Sequence, residues 1–254
     1  MKYPYLEYLK VLPADFKSLP SFYYLSFKRF IRYFILHKEL EHKEDVSELI
    51  KVKIDGIIFN VRKHNLTGDI GQYLLWQEPN VRKWFSFQKG EVFVDVGAYL
   101  GAYTLRAAKR GCTVYSFEPN PNSFKILSLN VEDNGFDNVK PFNVAVGDHE
   151  GEISIALSFD TTKVSDKGYK VKMITLDSLK LLKVDWLKID VEGFEKEVLI
   201  GARTTLDVTD RVIIEVHKGN RGFVDRVMKE HEFRVVKEEE TYPGVFNVMY
   251  EKAK

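Results

Sequence analysis

From residue 91 onward, apolar and polar positions follow two periods in turn. Short apolar runs at 91–96, 112–117, 139–145, 185–190 and 210–216 read as strands buried on both faces. Between them, apolar residues recur at helical spacing over 100–110, 121–133, 193–204 and 220–231. This alternation predicts a mostly parallel sheet covered by helices on both faces. Between 146 and 175 the period changes to two, and Gly151–Leu157 with Lys170–Ile174 reads as an inserted hairpin. Phe233–Lys237 and Val245–Tyr250 supply two last strands. Upstream, 51–61 reads as a hairpin around Asp55-Gly56, and 66–87 as helix broken at Pro79. No repeat or low-complexity tract interrupts the chain.

The N-terminal stretch differs in composition. The first 36 positions hold 11 of the 34 aromatic residues, with six basic side chains against two acidic. Residues 21–36 fit an amphipathic helix with Lys28, Arg29 and Arg32 on its polar side. Two readings stand side by side: attachment to a membrane surface or lipid-linked substrate, and a helix packed on the domain or on a second subunit, as in a homodimer. The expected division is an N-terminal helical extension and hairpin over 1–60, then a catalytic domain over 61–254.

At 254 residues and a formal net charge of +1, the chain can bury a full core and carries no global pull toward nucleic acid. A single cysteine, Cys112, excludes an internal disulfide and suits a reducing compartment. No apolar stretch reaches the length of a membrane span, and no signal-peptide core is visible. A cytoplasmic location is the expectation, with peripheral membrane contact left open. Abundant Lys and Glu with only three Gln (Gln72, Gln77, Gln88) hint at a heat-adapted source.

The chemistry starts at Glu91-Val-Phe-Val-Asp-Val-Gly97-Ala-Tyr-Leu-Gly101, a strand that breaks into a glycine turn before a helix. In a dinucleotide site the second glycine of such a turn lets backbone approach a pyrophosphate. Tyr99 fills that position, and Ala102 the third. A tyrosine obstructs a pyrophosphate, whereas a phosphate-free adenosine ligand does not need the glycine. Asp95 adds a carboxylate that repels phosphate and suits an ammonium group. Glu118 ends the next strand 21 residues after Gly97, near the roughly 20-residue spacing at which a carboxylate meets ribose hydroxyls. S-adenosylmethionine (SAM) fits all of these, and a nicotinamide-dependent oxidoreductase is the rival that Tyr99 counts against.

Ligands in open α/β sheets bind beyond the carboxyl ends of the strands. Two such ends carry polar pairs at spacing two, Asp190 with Glu192 and Glu215 with His217. Extended backbone would put each pair on one face of one cleft. His217 is the first candidate for a general base and Asp190 the second, with the carboxylates orienting the imidazole. The same set can hold a divalent ion. The metal-free reading is preferred, with no metal ligand assigned.

Several blocks in order carry a resemblance: Val94-Asp-Val-Gly-Ala98, Phe117-Glu-Pro-Asn-Pro-Asn122, Asn143-Val-Ala-Val-Gly147, Thr175-Leu-Asp-Ser-Leu179 and Asp185-Trp-Leu-Lys-Ile-Asp-Val-Glu-Gly-Phe-Glu195. Over about residues 65–217 the chain resembles the FkbM-type methyltransferase family. The resemblance implies a class I, Rossmann-like fold with a seven-stranded sheet. It implies SAM as cofactor and methyl transfer to a hydroxyl of a sugar, glycan or small metabolite. It places the methionine end of SAM at Asp95, Gly97, Ala98 and Gly101, with Tyr99 where the family usually has asparagine. It places the ribose at Glu118 and the adenine near Asn120 and Asn143–Ala145, including Val144, and counts Pro119 among the cofactor-binding residues. Asp190 and Glu192 match the family's acidic motif. A non-catalytic assembly module on the same fold is disfavoured by the intact acidic group. Base methylation of nucleic acid is disfavoured by the absence of an Asn-Pro-Pro-Tyr-type motif.

Overall fold

The computed structural model describes residues 10–30, 48–157, 162–165 and 167–253, except for the side chains of 28–30. Its first elements are β1 (Leu12–Pro13), α1 (Ser18–Phe30) and the hairpin β2 (Leu49–Ile54)–β3 (Ile57–Arg62), followed by α2 (Leu66–Leu74). The hairpin turns at Asp55-Gly56, both at positive φ, as the sequence predicts. The expected division at residue 60 falls inside β3. Strand and helix then alternate through β4 (Val92–Val96), α3 (Ala102–Lys109), β5 (Thr113–Phe117), α4 (Pro121–Asp133) and β6 (Val139–Phe142). Next come β7 (Ala145–Val146), β8 (Gly151–Ala156), β9 (Lys163–Val164) and β10 (Tyr169–Ile174). The chain finishes through β11 (Trp186–Ile189), α5 (Glu195–Ile200), α6 (Arg203–Asp207), β12 (Arg211–His217), α7 (Arg221–Glu230), β13 (Phe233–Tyr242) and β14 (Val245–Lys252).

The central sheet has seven strands in the order β13-β14-β12-β11-β4-β5-β6. The five strands from β12 to β6 run parallel, and β14 runs antiparallel to both its neighbours. One face packs Val198, Leu199, Leu206, Val224 and Met228 from α5–α7 onto Val94, Leu187, Ile189 and Ile214. The other buries Phe93, Val114, Trp186 and Ile213 under α3 and the flanking Phe85 and Phe87. Strands apolar on both sides are therefore what this architecture requires.

Four boundaries differ from the sequence expectation. The run 139–145 splits, because β7 leaves the main sheet and pairs in parallel with β10. There it joins the inserted β8–β10 hairpin and β9 in a separate four-stranded sheet. Helix α2 stops at Leu74 ahead of Pro79, since Leu75 takes a left-handed conformation at φ 54° and closes the helix end. The 193–204 helix is two short helices with Gly201 between them. The aromatic helix starts at Ser18, earlier than expected; its expected end, 31–36, lies outside the described residues.

The hairpin β2–β3 docks on α4 through polar groups as well as apolar ones. Asn60 donates its backbone N–H to Asn130 Oδ1 (2.6 Å), and Ile58 donates to Asn134 Oδ1 (2.8 Å). Arg62 and Asp69, 1% and 0% exposed, form an ion pair at 2.6 Å, with Asn65 donating to the same carboxylate. Removing one member of such a pair typically costs about 3–5 kcal/mol, because the other is left buried and uncompensated. Among the described residues, no helix is long and apolar enough to cross a membrane.

Candidate active site

A cavity of about 420 Å³ opens beyond the carboxyl ends of β4, β5, β11 and β12. Its first wall is the turn after β4. Gly97 sits at φ 79°, and a Cβ there would lie 1.7 Å from the Asp190 carbonyl oxygen. Only glycine lets the ends of β4 and β11 meet so closely. The Gly97 and Ala98 N–H groups both donate to the Phe117 carbonyl (3.0 Å each), which ties the turn to the end of β5.

Glu118 follows directly. It is 4% exposed; Oε2 accepts from the Tyr99 N–H and Oε1 from the Asn120 N–H, both at 2.8 Å. Burial pushes its carboxyl up to about 7, against the pull of these two hydrogen bonds. Tyr99 itself stands at φ 50°, a conformation that non-glycine residues seldom adopt. Its hydroxyl accepts from Arg62 (2.9 Å), so the residue where the family usually has asparagine is tied to the N-terminal hairpin.

Gly97, Tyr99, Glu118, Pro119, Val144, Ala145 and Asp190 line the cavity. Asp95, Ala98, Gly101, Asn120 and Asn143 do not. Asn120 caps α4, its side chain accepting from the Asn122 N–H (2.9 Å). Asn143 donates to the Glu118 carbonyl (2.8 Å) and so braces the turn that carries Glu118. Gly101, at φ 89°, opens α3 where a Cβ would strike Leu127. Asp95, expected to meet an ammonium group, lies behind the cavity wall. Asp95 is 1% exposed, its Oδ2 accepts from Thr104 Oγ1 (2.6 Å), and it lies across from Lys188 on β11. Its alternation along β4 points it into the layer beneath the cavity.

The opposite wall carries Asp190, Glu192, Glu215 and His217, all four on the same cavity. The route differs from the expected one. β11 ends at Ile189, and Asp190–Gly193 forms a turn with Glu192 at φ 52° and Gly193 at φ 101°. The pair Glu215–His217 does lie on an extended strand. The carboxylate that orients the imidazole is none of the expected three. It is Glu195, fully buried at the start of α5, whose Oε1 sits 2.8 Å from His217 Nδ1. Glu195 also accepts from the Gly193 N–H (2.8 Å) and the Asn220 side chain. A carboxylate facing Nδ1 places the imidazole proton there and leaves Nε2 as the basic nitrogen. Glu195 stands inside the quoted acidic block, but the sequence offers no sign that a helix-start carboxylate would reach a neighbouring strand.

Among the described residues the cavity wall has no lysine or arginine. Burial, with the Asp190 and Glu192 charges added, pushes Glu215 up to about 9 despite the opposing Lys188. Glu192, Glu215 and His217 each offer one ligand atom within 4.8 Å of the others, so these three could hold a divalent cation. Sequence reading missed the rest of the lining. Gln72, Gln77 and Glu78 come from α2 and the turn after it, Thr241 and Tyr242 from the end of β13, and Val245 from the start of β14. Ile155, Thr162 and Val164 come from the small sheet. Burial also pushes Glu78 up to about 7.

Known proteins resemble this chain in sequence and in fold. A hexuronic acid methyltransferase of Haloferax volcanii is 33% identical over 141 residues, covering 52% of this chain and 58% of that protein. The chain therefore spans little more than half the length of that relative. A tRNA (guanine(37)-N(1))-methyltransferase of Coprinopsis cinerea is 42% identical over 57 residues, 22% of this chain and 12% of that protein. Among solved structures, a transferase from Pyrococcus horikoshii superposes with TM-score 0.53 at 17% identity, over 92% of this chain and 84% of its own. A methyltransferase FkbM from Methylobacillus flagellatus superposes with TM-score 0.52 at 16% identity, over 69% of this chain and 47% of its own. At such identities these two likenesses speak for the fold, the seven-stranded class I methyltransferase architecture. Residues 95–235 match the methyltransferase FkbM domain, and the chain belongs to that family.

Proposed function

We propose that the chain is a SAM-dependent O-methyltransferase acting on a hydroxyl of a sugar, glycan or small metabolite. One observation carries the reading: a glycine turn with a buried carboxylate faces, across one cavity, a histidine held by a second buried carboxylate. The residues fit the cofactor. The cavity falls in the size range of small-molecule sites, Glu118 lines it with a carboxylate that can accept from a vicinal diol, and among the described residues no lysine or arginine lines it to repel a sulfonium. When bound, the cofactor supplies a methyl group already activated for displacement. The protein's own work is alignment, exclusion of water and proton removal. Val96, Phe117, Val144, Ile155 and Phe194 form the apolar walls. His217 Nε2 takes the proton of the acceptor hydroxyl, and Glu195 steadies the imidazolium that results. A positioned base of this kind contributes typically about 10²–10⁴-fold. The relative named for hexuronic acid makes glycans the first acceptors to try.

Calorimetry with SAM, S-adenosylhomocysteine and NADH tests the cofactor. Binding of NADH without SAM would overturn the reading. Transfer of labelled methyl from SAM to uronic-acid glycans, neutral sugars and tRNA tests the acceptor; product on tRNA alone would replace the hydroxyl reading. A chelator in the same assay tests the divalent ion. Full loss of turnover restored by Mg²⁺ or Mn²⁺ would make Glu192, Glu215 and His217 ligands and remove His217 as base.

A further inference from the structure

Lys188 lies in the middle of β11, inside the run Trp186-Leu-Lys-Ile189, where every other side chain is apolar. It is 5% exposed, in a strand buried on both faces. A lysine is almost never so placed without partners. Its ammonium is 2.9 Å from Asp190 Oδ2 and 5.2 Å from the centre of the Tyr103 ring. Asp95 stands opposite on β4. Glu78 reaches in from the turn after α2, and the Glu215 carboxyl, held protonated by burial, stands nearby on β12. Burial alone would lower this ammonium; Asp190, Asp95 and Glu78 outweigh it and hold it above the ordinary lysine range.

The layer thus holds one cation among four carboxyl groups, directly under the cavity wall. Asp190 lines that cavity, and Lys188 takes one of its oxygens. We propose that Lys188 is a positioning residue. Its ammonium fixes Asp190 with Oδ2 engaged and Oδ1 left for the ligand. It also supplies the counter-charge that lets Asp95, Asp190 and Glu78 stay together beneath a bound cationic cofactor.

The inference rests on the proposed SAM site and goes beyond it, because it assigns a role to a residue that touches no ligand. Its logic is electrostatic. Without the ammonium, the carboxyl layer takes its counter-charge from solvent as a proton. A cationic ligand arriving above the layer then displaces that proton. In the wild type the lysine already supplies that charge, so one proton fewer is exchanged at this layer.

Calorimetry of SAM binding in buffers of different ionisation enthalpy, with Lys188→Met and Lys188→Arg, tests this. Lys188→Met should weaken SAM by about tenfold or more and release about one proton more on binding than the wild type. Lys188→Arg keeps the charge and should restore both values to near wild type. A lysine that merely fills space predicts the opposite order, because Met matches its shape better than Arg does. If Lys188→Met binds SAM with wild-type affinity and proton count, the inference is wrong while the cofactor reading stands. If the wild type fails to bind SAM, the cofactor reading itself falls. Should Lys188→Met not fold, Lys188→Arg decides alone: a large loss of SAM affinity in a folded protein overturns the charge argument.

Discussion

On the β4–β5 side of the cavity, Glu118 is 4% exposed and both its oxygens accept backbone N–H groups. On the β11–β12 side, the His217 side chain keeps 30% of its surface and leans on one side-chain carboxylate. The first side is built from backbone. Its geometry follows from a glycine turn, two hydrogen bonds to the Phe117 carbonyl and the parallel register of β4 with β5. The second is built from side chains that balance one another: Glu195 with His217, Lys188 with Asp190, Glu192 beside Glu215. Backbone construction gives a fixed recognition surface for a constant ligand. Side-chain construction gives groups whose charge states can be set one by one, which proton removal from a variable acceptor requires.

The contrast predicts that changes on the first side damage binding and changes on the second damage turnover. The largest effect is expected at Gly97. An alanine there meets the Asp190 carbonyl and must hold a positive φ, together roughly 3 kcal/mol or more. Gly97→Ala should abolish measurable SAM binding in calorimetry; near-normal affinity would mean that the two strand ends can part freely.

Next in size is His217→Ala, which should lower turnover about 10²–10⁴-fold with SAM affinity nearly unchanged. Glu195→Gln should reduce turnover in the same assay by a smaller factor, about 10–10²-fold, because it loosens the imidazole without removing it. Equal loss of SAM affinity in either variant would erase the division between the two sides.

Glu118→Ala comes third, with SAM weakened by about 1.5–3 kcal/mol for a lost charge-assisted hydrogen bond. The pH dependence sharpens the point. The carboxyl sits at about 7 because of burial, and only its ionised form accepts from a diol at both oxygens. Binding should therefore tighten about tenfold from pH 6 to pH 8 as the competent fraction grows. Glu118→Gln should flatten that titration, and a flat wild-type curve would take Glu118 out of the ribose site.

The smallest effect concerns stability. Burial and neighbouring carboxylates raise Glu215 to about 9 in the folded protein, above its unfolded value of 4.5. The folded state then holds a proton that the unfolded state has lost. Stability from this group is complete below about pH 4.5 and declines as pH rises toward 9. Glu215→Gln should remove the decline and stabilise the protein by about 1–2 kcal/mol at pH 8. Urea melts at pH 6 and pH 8 decide it; an unchanged difference between the two would mean that Glu215 is ionised in the fold.

The alternation of buried strands and amphipathic helices was enough to establish the parallel sheet, because burial on both faces leaves a continuous apolar signature in the chain. The glycine turn and Glu118 were legible for a related reason: they lie close in sequence around one strand-turn-helix unit, so spacing reports geometry. β7 escaped because two residues that leave one sheet for another look the same as a strand's last two. Lys188 went unread inside the apolar run 185–190, because what marks it out is its partners, and these include groups on β4 and on the turn after α2. Glu195 and Tyr99 carry the lesson furthest. Helix propensity and turn chemistry explain where their backbones run. Only packing decides that Glu195 reaches His217 on β12, or that the Tyr99 hydroxyl meets Arg62 on the N-terminal hairpin. Local sequence fixes periods, turns and strand ends because these depend on neighbours along the chain. The pairing of charges across the cavity depends on neighbours in space, and those exist only once the sheet has closed.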